Sequence, residues 1–168
     1  MPKVTIGLSN PKSPTNVGAV LRAAGCFQAN EILYTGSRYD HAAAFCTDTQ
    51  NLVRSIPLTG VNCLIESAPA DAKIVVIELA ENACSLPDFI HPENAFYIFG
   101  PEDGSVKQQV VNQADSVVYI PTKGCLNLAA TVNVVLYDRL AKSIHREEGN
   151  ELVRQSRDVN NRLKVKSS

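Results

Sequence analysis

Tryptophan is absent from this sequence, methionine occurs once, and the three histidines (His41, His91, His145) are dispersed. A His-centred triad or a metal cluster therefore has little to build on, and no metal is expected. The five cysteines (Cys26, Cys46, Cys63, Cys84, Cys125) are odd in number and never spaced CxxC. Neither a zinc site nor a disulfide framework is indicated; reduced, mostly buried thiols are expected instead. No apolar run reaches membrane length, since Ile74-Val75-Val76-Ile77 is only strand-sized. Met1-Pro2-Lys3-Val4 leads straight into a strand-like stretch without a signal-peptide core, which points to a cytoplasmic setting. No charge of one sign dominates: the formal net charge is −1 at pH 7. That argues against nucleic-acid binding over the whole surface and leaves a local basic patch open. The phosphate-binding patterns GxGxxG and GxxxxGK[ST] are missing, and so is the GxSxG nucleophile elbow.

What is present has the balance of one globular domain: 168 residues, 45% hydrophobic and 20% charged. Five strands are predicted, at Lys3–Ser9, Glu31–Thr35, Lys73–Leu79, Asn94–Phe99 and Ser116–Ile120, from β-branched and apolar runs ended by Gly, Pro or Asn. The near-continuous apolar run of the third suits a parallel strand covered on both faces. Helices are expected from a cap at Thr15 or Asn16 to about Cys26, over His41–Arg54, over Val106–Gln113 and over Leu126–Ser143. Alternating strands and helices make the fold class α/β, with a mostly parallel sheet flanked by helices. The domain is expected to span residues 1–145, with 146–168 as a basic C-terminal tail.

Three segments at predicted strand ends hold the unusual residues, and ligands of open parallel sheets bind beyond those ends. The first is Asn16-Val17-Gly18-Ala19-Val20-Leu21-Arg22, with one arginine in an otherwise apolar or small helix. Arg22 can be a surface residue packing its stem, or a guanidinium fork for a phosphate or a developing oxyanion. The second is Phe99-Gly100-Pro101-Glu102-Asp103-Gly104, where glycines allow close backbone approach to a ligand. Glu102 could equally favour the start of the next helix. In the third, Ile120-Pro121-Thr122-Lys123-Gly124-Cys125-Leu126-Asn127, the asparagine can cap the last helix, whose free N–H groups also suit a ligand.

Together, in this order, the segments resemble the signature of the SpoU branch of the SPOUT RNA methyltransferases: N-x-G-x-x-x-R, then FGxE-x-G, then IP…LN before a long helix. The resemblance covers about residues 3 to 143. It implies a C-terminal part threaded into a deep trefoil knot, homodimers with shared active sites, and S-adenosylmethionine held in the knot. Glu78, Leu79, Gly100, Gly104, Ile120, Leu126 and Leu128 are the implied cofactor-binding residues. The implied substrate is the ribose 2′-hydroxyl of RNA, tRNA before rRNA, with no membrane partner.

Arg22, Asn16, Glu102 and Asn127 are the implied catalytic set. The resemblance places Arg22 where a base would stand, but a guanidinium titrates above about 12. Holding the phosphate and stabilising charge on the 2′-oxygen suits it better. Asn16 would hold Arg22 or the ribose, Glu102 would fix Arg22 or the motif loops, and Asn127 would anchor the knot loop. The apolar face Leu128, Val132, Val135, Leu136 and Leu140 is expected at the dimer interface. This chain departs from the pattern in its third motif, which is about three residues shorter than in many relatives, with Thr122 in place of Met and Cys125 in place of Ser. A catalytically degenerate RNA-binding dimer is the alternative that such a loop leaves open. The tail, with Arg146, Arg154, Arg157, Arg162, Lys164 and Lys166, is either solvated or an RNA-binding extension, assisted in the second case by Arg38, Tyr39 and His41.

Overall fold

The computed structural model describes residues 2–44 and 56–166. Its frame is a seven-stranded, all-parallel sheet: β1 (Val4–Leu8), β2 (Glu31–Tyr34), β3 (Leu58–Gly60), β4 (Lys73–Ile77), β5 (Cys84–Ser85), β6 (Ala95–Phe99) and β7 (Ser116–Tyr119). The order across the sheet is β3-β2-β1-β6-β4-β7-β5. The five predicted strands are all present, trimmed by a residue or two at their ends. β3 and β5 went unpredicted because strands of three and two residues show no period of their own; both lie at sheet edges, held by one neighbour each.

The central strands β1 and β6 are buried along their whole length, so their side chains sort by alternation onto two cores. Tyr97 and Phe99 join Ile6, Leu8 and Ile32 on one face, where α1 (Pro14–Cys26) and α4 (Leu128–Lys142) add Val17, Val20, Leu21, Val132, Val135 and Leu136. Phe96 and Ile98 face the other way, with Leu33, Leu64, Val76 and Val106. The helices α1 and α4 pack against one another over the first face.

Helix ends differ from expectation for local reasons. The cap of α1 is Ser13, whose hydroxyl accepts from the Asn16 amide at 3.3 Å, with Pro14 in the first turn where no N–H is missed. A third helix, α3, spans only Gln108–Val111 rather than starting at Val106: its cap is the extended Lys107, and the Val106 N–H before it donates at 2.9 Å to the Glu78 carboxylate. The predicted helix over His41–Arg54 begins earlier, as α2 (Arg38–Ala43), and residues 45–55 lie outside the described residues. In the tail, α5 (Asn150–Ser156) buries no residue.

Two expectations are corrected. Leu128, Val132, Val135 and Leu136 are buried against their own sheet, so the apolar face expected at a dimer interface belongs to the core. The exposed apolar residues of α4 are Val134, Leu140 and Tyr137, the last 63% exposed. The thiols are also less buried than expected: Cys26, Cys84 and Cys125 are exposed. No described helix is long and apolar enough to cross a membrane.

Candidate functional site

Beyond the carboxyl ends of β4, β6 and β7, three connecting segments enclose a cavity of about 390 Å³. Parallel strands leave their loops together at one edge, which is why residues far apart in sequence meet here. Glu78, Leu79, Gly100, Gly104, Ile120, Leu126 and Leu128, the seven residues implied for cofactor binding, all line it. So do Glu102 and Asn127, together with Ser105, Thr122 and Thr131, which the motifs do not mark.

The walls are held by side chain to backbone bonds. Glu78 accepts from its neighbour Leu79 N–H and from Val106 N–H, both at 2.9 Å, and so ties the end of β4 to the loop after β6. Gly100 sits under that tie. A methyl group there would lie 3.2 Å from the Val106 nitrogen and 3.3 Å from a Glu78 oxygen, closer than either backbone or carboxylate readily allows. Leu79 and Leu126 leave apolar surface open to the cavity, 51% and 41% exposed. Thr122 folds the short third loop back on itself, its hydroxyl donating to the Gly124 carbonyl at 2.7 Å.

At one wall the three motifs are joined residue to residue. Asn127 Nδ2 donates to Asn16 Oδ1 at 3.1 Å, and Asn16 Nδ2 donates to Glu102 Oε1 at 3.1 Å. Glu102 also accepts from the Lys12 and Ser13 amides, at 2.9 and 3.0 Å. Its carboxylate thus sits at the start of α1, where the helix dipole favours an anion. Burial raises the Glu102 pKa, but the bonds from its own amide, Ser13, Asn16 and Lys12 outweigh this and hold it below the usual carboxylate value. Asn127 caps α4 through the amides of Ala129 and Ala130, at 2.9 and 3.4 Å. Ser13 and Lys12 are the parts of this hub that motif reading missed. The Ser-Pro pair ahead of an apolar helix was the available signal.

Arg22 is elsewhere. It is exposed on α1, does not line the cavity, and has no hydrogen bond or ion pair among the described residues. Asn16 and Glu102 bond to each other and to the loops, not to Arg22. The suggested stacking group at Arg38, Tyr39 and His41 is corrected as well. Tyr39 is buried edge-on against Tyr34, with ring centroids 5.1 Å apart. Arg38 is paired with Asp103 at 2.8 Å, so of the three only His41 is exposed.

The model of the SpoU rRNA Methylase family matches residues 3–137. No curated protein matches the sequence. Among solved structures, the chain is similar to the SpoU methyltransferase AviRb from Streptomyces viridochromogenes in complex with AdoMet, with 20% identity, a TM-score of 0.70, and coverage of 86% of this chain and 59% of that one. It is similar to the A. aeolicus TrmH/SpoU tRNA modifying enzyme at 19% identity and a TM-score of 0.71, covering 83% and 74%. A third structure, concerned with 2-OH methylation of C/U34 on tRNA, gives 21% identity and a TM-score of 0.69, covering 84% and 91%. The chain spans less than two thirds of the length of AviRb. At these identities the structural likeness establishes the fold.

Proposed function

Because this chain belongs to the SpoU rRNA Methylase family, we propose that it transfers a methyl group from S-adenosylmethionine to a ribose 2′-hydroxyl of RNA. The observation that carries this reading is a cavity lined by the second and third motifs, to which the first is tied by the series of bonds Glu102–Asn16–Asn127. A volume of about 390 Å³ lies in the range of small-molecule sites. Its lining fits the cofactor: apolar Leu79, Ile120, Leu126 and Leu128 for a purine and ribose, and the bare backbone of Gly100 for close approach. Glu78 and Gly104 complete the set. When bound, S-adenosylmethionine supplies a methyl group already activated on a sulfonium.

The chain's own residues then position the acceptor. Glu102 accepts from Lys12, Ser13 and Asn16 as well as its own amide and is held below the usual carboxylate range, so it is a poor proton acceptor; its work is to fix the start of α1. Asn16 passes that constraint to Asn127 and so to the third loop. Arg22, exposed on the same helix and without a partner among the described residues, is assigned the RNA phosphate and the negative charge developing on the 2′-oxygen. Its place outside the cavity of its own chain fits a homodimer in which each site takes residues from two subunits, with Val134, Tyr137 and Leu140 on the shared face. The trefoil knot and a cytoplasmic location belong to the same reading. So does tRNA as the first substrate class: the neighbour concerned with tRNA 2-OH methylation is one that this chain nearly spans.

The test is methyl transfer from labelled S-adenosylmethionine to separated tRNA and rRNA from cells lacking this gene, followed by alkaline hydrolysis. Label in alkali-resistant dinucleotides is expected, in the tRNA fraction. No incorporation, with no cofactor binding by calorimetry, would overturn the proposal in favour of an RNA-binding dimer without catalysis.

A further inference from the structure

Outside the three motifs, one side chain ties the loop after β6, which forms one rim of the cavity, to the segments that follow β1 and β2. Arg38, at the start of α2, donates from Nη1 and Nη2 to the two oxygens of Asp103, at 2.8 and 3.0 Å, and from Nη2 to the Asn10 carbonyl at 2.6 Å. It thus joins the segments following β2, β6 and β1. The turn that delivers it depends on Gly36, which has φ +80 and is packed against the Asn10 side chain. Lys12 stands at 4.0 Å from the same carboxylate. Asp103 lies between Glu102, the hub of the three motifs, and Gly104, which lines the cavity; in the signature FGxE-x-G it occupies the open position.

Two features mark this pair as more than a surface contact. The fork is bidentate, which fixes orientation as well as distance. And the Arg38 Nε is buried with no hydrogen-bond partner among the described residues. An arginine free to choose its rotamer keeps its donors satisfied. Here two nitrogens reach Asp103 and Asn10 while the third is left without an acceptor, so the position of the guanidinium is set by the loops that it joins. The hydrogen bonds to Arg38 hold Asp103 below its ordinary pKa, so the pair stays charged wherever carboxylates ordinarily ionise.

Resting on the methyltransferase reading, we infer that Arg38 is a positioning residue for cofactor binding: clamped on Asp103, it holds the 102–105 rim of the cavity in register with the Lys12–Ser13 segment that Glu102 grips. Arg38 reaches the cofactor only through that rim, and it is absent from the cavity lining. The clamp therefore acts on affinity for the cofactor and leaves the chemical step alone.

The experiment is a double-mutant cycle on the full chain, with Arg38→Ala, Asp103→Ala and the two combined. It is read by calorimetric titration with S-adenosylmethionine, by steady-state transfer, and by amide hydrogen exchange over residues 101–106. Each single variant is expected to weaken cofactor binding about threefold to tenfold, the scale of losing one well-aligned, part-exposed ion pair. KM for the cofactor should rise by the same factor with kcat within about twofold, and the combined variant should be no weaker than either single one. Arg38→Lys, which keeps the charge but loses the fork, should recover only part of the affinity. Additive losses, unchanged cofactor affinity, or a fall in kcat at constant KM would each overturn the inference. If the native chain binds no S-adenosylmethionine, the methyltransferase reading fails first. The exchange data then still decide the clamp, since faster exchange at 101–106 in both single variants is expected and unaltered exchange refutes it.

Discussion

Two polar networks cross this molecule, and they are built to opposite ends. At the carboxyl edge of the sheet, Glu102, Asn16 and Asn127 are bonded in series and at least partly open to solvent, while Arg22, exposed on α1 outside the cavity, has no bond among the described residues. On the same side of the sheet as α4, the segment 86–93 is strapped to that helix by Lys142 and Arg139. Lys142 donates to the Leu86 and Phe89 carbonyls at 2.6 and 3.0 Å and pairs with Asp138 at 2.7 Å. Arg139 donates to the Pro92 and Glu93 carbonyls, both at 2.6 Å, and to the Tyr97 hydroxyl at 3.1 Å. His91 joins this group through both ring nitrogens. The Asp138 carboxylate can only accept, so the neutral His91 ring carries its hydrogen on Nε2, directed at Asp138 2.8 Å away, and its Nδ1 accepts from the Tyr97 hydroxyl 2.6 Å away. A part-buried network, saturated at Lys142 and His91, stabilises one packing, while a network with open capacity beside a cavity is free to engage a ligand.

The contrast predicts which changes damage which property. The largest effect belongs to the open network: Arg22→Ala should cut methyl transfer at least about 100-fold, the scale of removing one positioned charge stabiliser, with cofactor titration unchanged. Near-normal turnover in this variant would remove Arg22 from the mechanism. Next comes the saturated network. Asp138→Ala leaves the His91 N–H and Lys142 without their carboxylate and should lower stability by about 1–3 kcal/mol, measured by denaturant unfolding, while cofactor affinity stays within about twofold. A variant that lost cofactor binding and kept its stability would reverse the division.

A smaller effect is expected from Gly100→Ala. The added methyl presses the Val106 amide and the Glu78 carboxylate, so cofactor affinity should drop by about tenfold, some 1.4 kcal/mol, with the unfolding midpoint near that of the parent. The smallest is a pH effect. Burial holds the His91 pKa below its usual 6.5, against the opposing pull of Asp138. The folded chain therefore binds fewer protons at this site than the unfolded chain between that lowered value and 6.5. The contribution of His91 is complete above 6.5 and is lost as pH falls toward the folded value. A stability difference between parent and His91→Gln that narrows over that interval is expected. A difference independent of pH would mean that His91 does not titrate as its burial requires.

Much of the frame is legible in the residues themselves. β1, β2, β4, β6 and β7 are long enough to carry an apolar run, and Asn127 announces the cap of α4. The cavity lining followed from the motifs, because strand ends in a parallel sheet must converge. The edge strands β3 and β5 did not show, since two or three residues have no pattern apart from the neighbour that pairs with them. The helical period of α4 correctly marks Leu128, Val132, Val135 and Leu136 as apolar-facing, but it assigned that face to a second subunit when it lies on the chain's own sheet. A period says which residues leave water and is silent on what receives them.

The order of elements, the parallel sheet and the three loops that build the cavity were written in the local pattern of apolar, small and turn-forming residues, because burial and backbone preference act over a few positions at a time. The partners were decided only by the folded chain. Asn16 with Glu102 and Asn127, Arg38 with Asp103, and His91 with Asp138 are separated by 86, 111, 65 and 47 positions. A hydrogen bond or an ion pair depends on distance and direction within a few ångströms. Neither exists until sheet order has brought the strand ends side by side.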